Sequence, residues 1–159
     1  MRKSAEREPG GREDGIVDDA PSWVFDTNVV VSGLLSALGP PGRLVDMVLA
    51  RQLRMTLDGR IETEYREVLS RPKFEINSER LEAFLAILQF QDWVIAMPWK
   101  SAPPPDKGDT MFLEVANETA QRILITGNTK HFPKTCHSRV SVLSPQEAWS
   151  KFAALRGSL

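Results

Sequence analysis

Val24-Phe25-Asp26-Thr27-Asn28-Val29-Val30 is the stretch that decides the fold. Trp23 to Phe25 reads as a short buried strand, and it ends in a carboxylate. A helical pattern starts at once and runs from Val29 to Leu38. In an open α/β sheet, ligands gather outside the carboxyl ends of the strands. Asp26 is expected at such an end, beside a helix N-terminus.

The same alternation continues outward from this stretch. Gly39-Pro40-Pro41-Gly42 is expected to stop the first helix, with a second running from Arg43 to Ala50. Leu53 to Leu57 reads as a strand, and the helix after Asp58-Gly59 ends at Leu69, before Arg71-Pro72. Ser78 is read as the N-cap of a helix in which Leu81, Phe84, Leu85 and Leu88 share a face. Trp93 to Met97 is strand-like, Pro98 to Lys107 is a proline-rich loop, and Asp109 to Gln121 is helical. Ile123 to Thr126 is apolar and ends in polar residues, as buried parallel strands do. Gly127 to Ser138 is mostly loop, Val140 to Leu143 is a last strand, and Ser144-Pro145 opens the final helix. Strands alternating with helices predict a parallel sheet covered on both faces.

Composition narrows the class. At 159 residues the chain is long enough for one domain with a real core. With a formal net charge of −1, a basic stripe that would hold nucleic acid by bulk electrostatics is not evident, which leaves room for a small, local phosphate site. Cys136 is the only cysteine, so no internal disulfide forms and a reducing compartment is expected. No apolar run approaches the roughly 20 residues that span a bilayer, and no signal-peptide core is present. The chain reads as cytoplasmic. Residues 1–21 carry four Lys/Arg and six Asp/Glu among glycines and prolines, too little apolar surface to offset ordering. They are expected to be a disordered tail or an artefact of the start site, with a single domain over 22–159.

Four polar positions invite a chemical reading, and each has a plainer one. Asp26 weighs equally as helix N-cap and as catalytic ligand. Glu64 lies on the apolar stripe of Ile61, Tyr65, Val68 and Leu69, where a carboxylate is costly unless paired or metal-bound. A salt bridge to a nearby Arg would satisfy it. Asp109 opens the stripe of Phe112, Leu113 and Ala116, with N-capping as its alternative, and Asp106 is a weaker candidate. Asn128 follows the apolar strand, offers a neutral oxygen, and could simply be a turn residue. All four fall at strand ends or first helical turns. Clustered carboxylates resist ionisation, and a hard cation such as Mg²⁺ or Mn²⁺ reverses that. His131, Cys136 and His137 lack the spacing of a zinc site and are read as surface residues.

With these residues in view, the chain resembles the PIN domain family of Mg²⁺/Mn²⁺-dependent ribonucleases. More narrowly, it resembles the bacterial branch of toxins of toxin–antitoxin pairs, related to VapC-type toxins. The motifs that carry the resemblance are Val24-Phe25-Asp26-Thr27-Asn28-Val29, Glu64 to Leu69 with Ser70-Arg71-Pro72-Lys73-Phe74, Asp109 to Glu114, and Ile125-Thr126-Gly127-Asn128. They span about residues 22–150. The resemblance implies a three-layer α/β/α fold with a central parallel sheet. It implies a catalytic quartet of Asp26, Glu64, Asp109 and Asn128, with Asp26, Asp109 and Glu64 as metal ligands. The fourth position is usually Asp in relatives, and Gly108 stands where they often carry another acid. One or two metal ions therefore remain open. Thr27, Asn28 and Lys130 are the expected substrate contacts, with Arg43 and Lys73 as further cations. RNA, a small antitoxin protein and a homodimer are the implied partners, and no membrane is.

Two other readings compete with a metal-dependent endoribonuclease. One is a catalytically degenerate module that only binds RNA or protein. The other is a phosphohydrolase using Asp26 as nucleophile. Asn28 occupies the second acidic place of the Asp-x-Asp pattern such phosphatases carry, which ranks that reading last.

Overall fold

The structure, a computed structural model, describes residues 19–157. The tail expected over 1–21 thus lies, as far as residue 18, outside the described residues. At its end the Pro21 carbonyl accepts the Arg54 amide at 2.8 Å.

Five strands form one parallel sheet: β1 (Ser22–Phe25), β2 (Arg54–Leu57), β3 (Asp92–Trp93), β4 (Ile123–Ile125) and β5 (Ser141–Leu143), in the order β3-β2-β1-β4-β5. Among the described residues six α-helices complete it: α1 (Thr27–Leu35), α2 (Gly39–Leu49), α3 (Gly59–Leu69), α4 (Ser78–Ile87), α5 (Thr110–Ala116) and α6 (Pro145–Gly157). The arrangement is the three-layer α/β/α fold with a central parallel sheet. Trp23, Val24, Phe25, Leu124 and Ile125 have no exposed surface, as expected for strands covered on both faces.

The strand order places the site. The chain builds outward from β1 to β2 and β3, then crosses back to lay β4 on the other side of β1. The sheet therefore reverses direction between β1 and β4, and such a point opens a crevice at the carboxyl ends of its two strands. Asp26 follows β1 and Thr126 follows β4. Val24 pairs with Leu124 and Phe25 with Ile125, which brings those two ends together.

Several local expectations change for packing reasons. Gly39-Pro40-Pro41-Gly42 does not stop a helix; it is the first turn of α2. Proline is tolerated there because the first amides of a helix need no intrahelical partner. A Cβ on Gly33 would lie 2.4 Å from Val45 Cγ2, and one on Gly42 would lie 2.3 Å from the Ser36 carbonyl oxygen. Both glycines thus permit the close contact of α1 with α2. Asn77 rather than Ser78 caps α4, its side chain accepting the Arg80 amide at 3.0 Å. The strand expected over Trp93 to Met97 pairs only at Asp92–Trp93. Beyond it, the Met97 and Trp99 amides donate to the carboxylates of Glu118 and Glu114 instead of to a strand. Helix α5 stops at Ala116 rather than Gln121. The Thr119 hydroxyl donates to the Ala116 carbonyl and accepts the Arg122 amide, closing a turn that competes with the helix. Ser144 and Glu147 cap α6 reciprocally, each side chain accepting the other's amide. Cys136, expected at the surface, is fully buried, and His137 is half-buried against the Phe132 carbonyl at 2.6 Å. No helix among the described residues is long and apolar enough to cross a membrane.

Candidate active site

Asp26 occupies the N-cap position of α1 but does not cap it. Its carboxylate instead accepts the Thr126 hydroxyl at 2.8 Å, across the seam between β1 and β4. The Asp26 amide meets the Ile125 carbonyl at 2.8 Å, and the Asn28 side-chain oxygen accepts the Gly127 amide at 3.0 Å. Two turns far apart in sequence are therefore stitched into one. Asp26 is 5% exposed. Burial raises its pKa, and the nearby Glu64 charge adds to that against the lowering effect of the Thr126 bond.

Glu64 comes from α3. Asp58 caps that helix by accepting the Arg60 and Ile61 amides. Its next residue, Tyr65, is fully buried and donates its hydroxyl to the Phe25 carbonyl at 2.5 Å. This bond ties α3 to the last residue of β1. Glu64 then receives the Thr27 hydroxyl, and among the described residues it has no ion pair. The salt bridge that would have given it a plain structural role is absent among them. Burial, with the charges of Asp26 and Glu64, pushes the Tyr65 phenol well above its ordinary value.

Asp109 closes the 3₁₀ turn Lys107–Asp109 just before α5, and its side chain makes no cap either. Burial and the charges of Asp26, Asp106 and Glu64 raise its pKa to about 6, while His131 opposes them. Among the described residues the one basic group within 4.0 Å is the His131 imidazole, its Nδ1 3.9 Å away. Asp106 is spent locally, accepting the Gly108 amide. Arg60 spans the two helices that carry Glu64 and follow Asp109: it binds Asp58 at 2.8 Å and Glu114 at 2.7 Å.

Asn128 is engaged in its own turn. Its side-chain oxygen accepts the Lys130 amide at 3.1 Å, and its amide nitrogen lies 3.1 Å from His131 Nε2. Lys130 is exposed. Of Thr27 and Asn28, expected at the substrate, the Thr27 hydroxyl donates to Glu64 and the Asn28 side-chain oxygen accepts the Gly127 amide. Arg43 lies over the Trp149 ring and Lys73 over Phe74.

Three residues of the site carry no role in the sequence reading: Thr126, Tyr65 and His131. Thr126 has a weak signal, a hydroxyl directly after an apolar strand. Tyr65 reads only as a core residue, and His131 as a surface one.

A family model described as PIN domain matches residues 22–130. The chain belongs to the PIN domain family. No curated protein matches it. PIN domains are generally nucleases, and they usually use divalent metals. In this PIN domain the donor set fits a hard cation. Burial and neighbouring carboxylates raise the proton affinity of Asp26 and Asp109, and no Lys or Arg among the described residues neutralises Asp26, Glu64 or Asp109. They do not yet converge: among the described residues no three His, Cys, Asp or Glu side chains are grouped closely enough to hold an ion.

Proposed function

We propose that this PIN domain is a Mg²⁺- or Mn²⁺-dependent endoribonuclease, acting as the toxin of a toxin–antitoxin pair. The observation that carries the catalytic part is the uncompensated triad of Asp26, Glu64 and Asp109 at the switch point of the sheet. Asp26 and Asp109 would hold the cation directly, and Glu64 directly or through water. Mg²⁺ or Mn²⁺ held there supplies positive charge against the scissile phosphate and makes water a better nucleophile.

The chain's own residues do the rest. Thr126 fixes the carboxylate of Asp26, and Thr27 fixes that of Glu64. Asn28 locks the turn after β1 to Gly127, so Asp26 cannot drift from the seam. Lys130 is free to meet a phosphate oxygen. The toxin assignment, the RNA substrate, the antitoxin partner, a homodimer and a cytoplasmic location rest on the resemblance of the four motifs.

One observation favours a second reading, a degenerate module that binds RNA or protein without cutting. Asn128 brings no charge and already spends its oxygen on Lys130. The test is paired. The protein is melted with excess Mn²⁺ and with EDTA, and a mixed RNA pool is incubated under both conditions. A nuclease melts higher with Mn²⁺, because a ligand of the native state stabilises it, and it shortens RNA only with the cation. Superimposable melts and intact RNA would leave the binding module.

A further inference from the structure

The triad is negative, and an RNA strand must nevertheless lie across it. Charge elsewhere on the molecule is arranged unevenly. Every arginine between residues 54 and 80 is bound to a carboxylate: Arg54 to Asp92, Arg60 to Asp58 and Glu114, Arg66 to Glu62, Arg71 to Glu67, and Arg80 to Asp46. The chain after α5 is built the opposite way. Between Glu118 and Glu147 it has no acidic residue, yet it carries Arg122, Lys130, Lys134 and Arg139. Among the described residues none of these four has an ion-pair partner.

The path of this segment gives the charges a direction. Residues 127–140 leave the carboxyl end of β4 beside Asp26. They must reach the amino end of β5, because the two strands are parallel and Ile123 pairs with Ser141. The segment therefore runs from one end of the sheet to the other. Phe132, Cys136 and Val140 are buried, and their four-residue spacing anchors it in the core. Lys130, Lys134 and Arg139 lie between and beside these anchors, and all three are exposed.

Resting on the reading of the triad as an RNA-cleaving centre, we infer that Lys130, Lys134 and Arg139 form a phosphate-binding strip along which the RNA strand leaves the site. A cation already bound to a carboxylate gains little from a phosphate. An unpaired one releases condensed counterions when it neutralises a phosphate, which is the main source of nucleic-acid affinity. The strip starts two residues beyond Asn128, so it is continuous with the triad. This continuity favours the substrate over an acidic protein as its occupant.

The test measures binding of a fluorescent single-stranded RNA oligonucleotide across a salt series, with Mn²⁺ present. The parent carries Asp26→Asn so that the probe survives. Removing three phosphate contacts should lower the slope of log affinity against log salt by about two. Lys130→Gln/Lys134→Gln/Arg139→Gln in that parent should show this drop and bind about tenfold more weakly at low salt. Arg66→Gln/Arg71→Gln should leave the slope unchanged. The strip is rejected if the triple variant keeps the parental slope, or if the control pair lowers it equally. It is also rejected if RNA ignores the strip while a polyglutamate probe depends on it, which would mark an acidic protein as the occupant. Melting curves check folding; the three side chains are exposed and, among the described residues, unpaired, so the melting temperature should not move. Cleavage by the native chain is scored separately. If it cuts RNA but the slope does not respond, the strip fails and the proposed activity stands. If it cuts no RNA, the activity fails and the strip is judged on the slope alone.

Discussion

The two halves of the site are built to different standards. On the β1 side, Asp26 is held by Thr126, Glu64 by Thr27, and the turn between them by Asn28 and Gly127. Asp26 and Thr126 follow directly on strand ends, Thr27 and Asn28 lie in the first turn of α1, and Glu64 is on a helix pinned to β1 by Tyr65. On the α5 side, Asp109 ends a single 3₁₀ turn, makes no cap, and has only an imidazole 3.9 Å away. One half is therefore set before any ligand arrives. The other is a carboxylate held by local backbone alone and crowded by like charges. A cation is what would draw it in, and experiments on the two halves should separate accordingly.

Asp26→Asn should have the largest effect. It removes a ligand charge and little volume, and the amide oxygen can still accept from Thr126. RNA cleavage should fall by at least about 100-fold, beyond the usual loss on altering a residue that merely orients a ligand. The metal-free melting temperature should hold or rise, because a desolvated carboxylate is gone. Cleavage that survives undiminished would place the chemistry elsewhere.

Thr126→Val tests the rigid half without touching a ligand. Asp26 would keep its charge and lose its orientation. Mn²⁺ affinity, read by calorimetry, should drop by about tenfold or somewhat more, as for other groups that orient metal ligands. Affinity equal to the native value would mean that the β1 side does not depend on this bond.

The loose half should announce itself in pH dependence. The folded chain binds the Asp109 proton more tightly than the unfolded chain does, since its pKa is raised to about 6. The stability this contributes is present below the unfolded pKa and is lost as pH rises through about 6. Melting temperatures of the metal-free protein should therefore fall between about pH 4 and about pH 7. Mn²⁺ should stabilise more strongly over the same interval, because it competes with the proton. Asp109→Asn should flatten both trends. A metal-free melting temperature that climbs through this window would contradict the crowded-carboxylate account.

The smallest expected effect is at Asn128. Its oxygen already caps the turn over Lys130, and Asp would cap it equally well while adding charge. Asn128→Asp should tighten Mn²⁺ a few-fold, since ligand charge helps set such affinities, and should destabilise the metal-free protein slightly. Unchanged affinity would show Asn128 to be a turn residue and nothing more.

Much of this was legible before any fold was known. Asp26 stands after an apolar strand and before a helix, and Glu64 interrupts an apolar stripe. The cap at Ser144 likewise follows from local chemistry, because a cap satisfies amides only two or three residues away. The alternation of strands and helices was enough for the three-layer sheet. What failed was local signal overruled by packing. The run Gly39 to Gly42 has the composition of a terminator, yet it begins a helix because Gly33 and Gly42 let two helices touch. Trp93 to Met97 has the composition of a strand, yet it pairs only at its start, and Glu118 draws the Met97 amide away.

The sequence alone therefore determined which residues could be acidic ligands, and that Asp26 stands at a strand end. Only the tertiary structure decided what those side chains do. Asp26 and Asp109 both stand where an N-cap stands, and nothing local distinguishes a capping carboxylate from a free one. One carboxylate oxygen of Asp26 accepts the hydroxyl of Thr126, a hundred residues away, because parallel pairing of β1 with β4 sets the two side by side. The same holds for the cations. The arginines from 54 to 80 and the basic residues from 122 to 139 read alike in sequence. Which ones are neutralised depends on the carboxylates that neighbouring helices bring within reach, and ion pairing extends only a few ångströms.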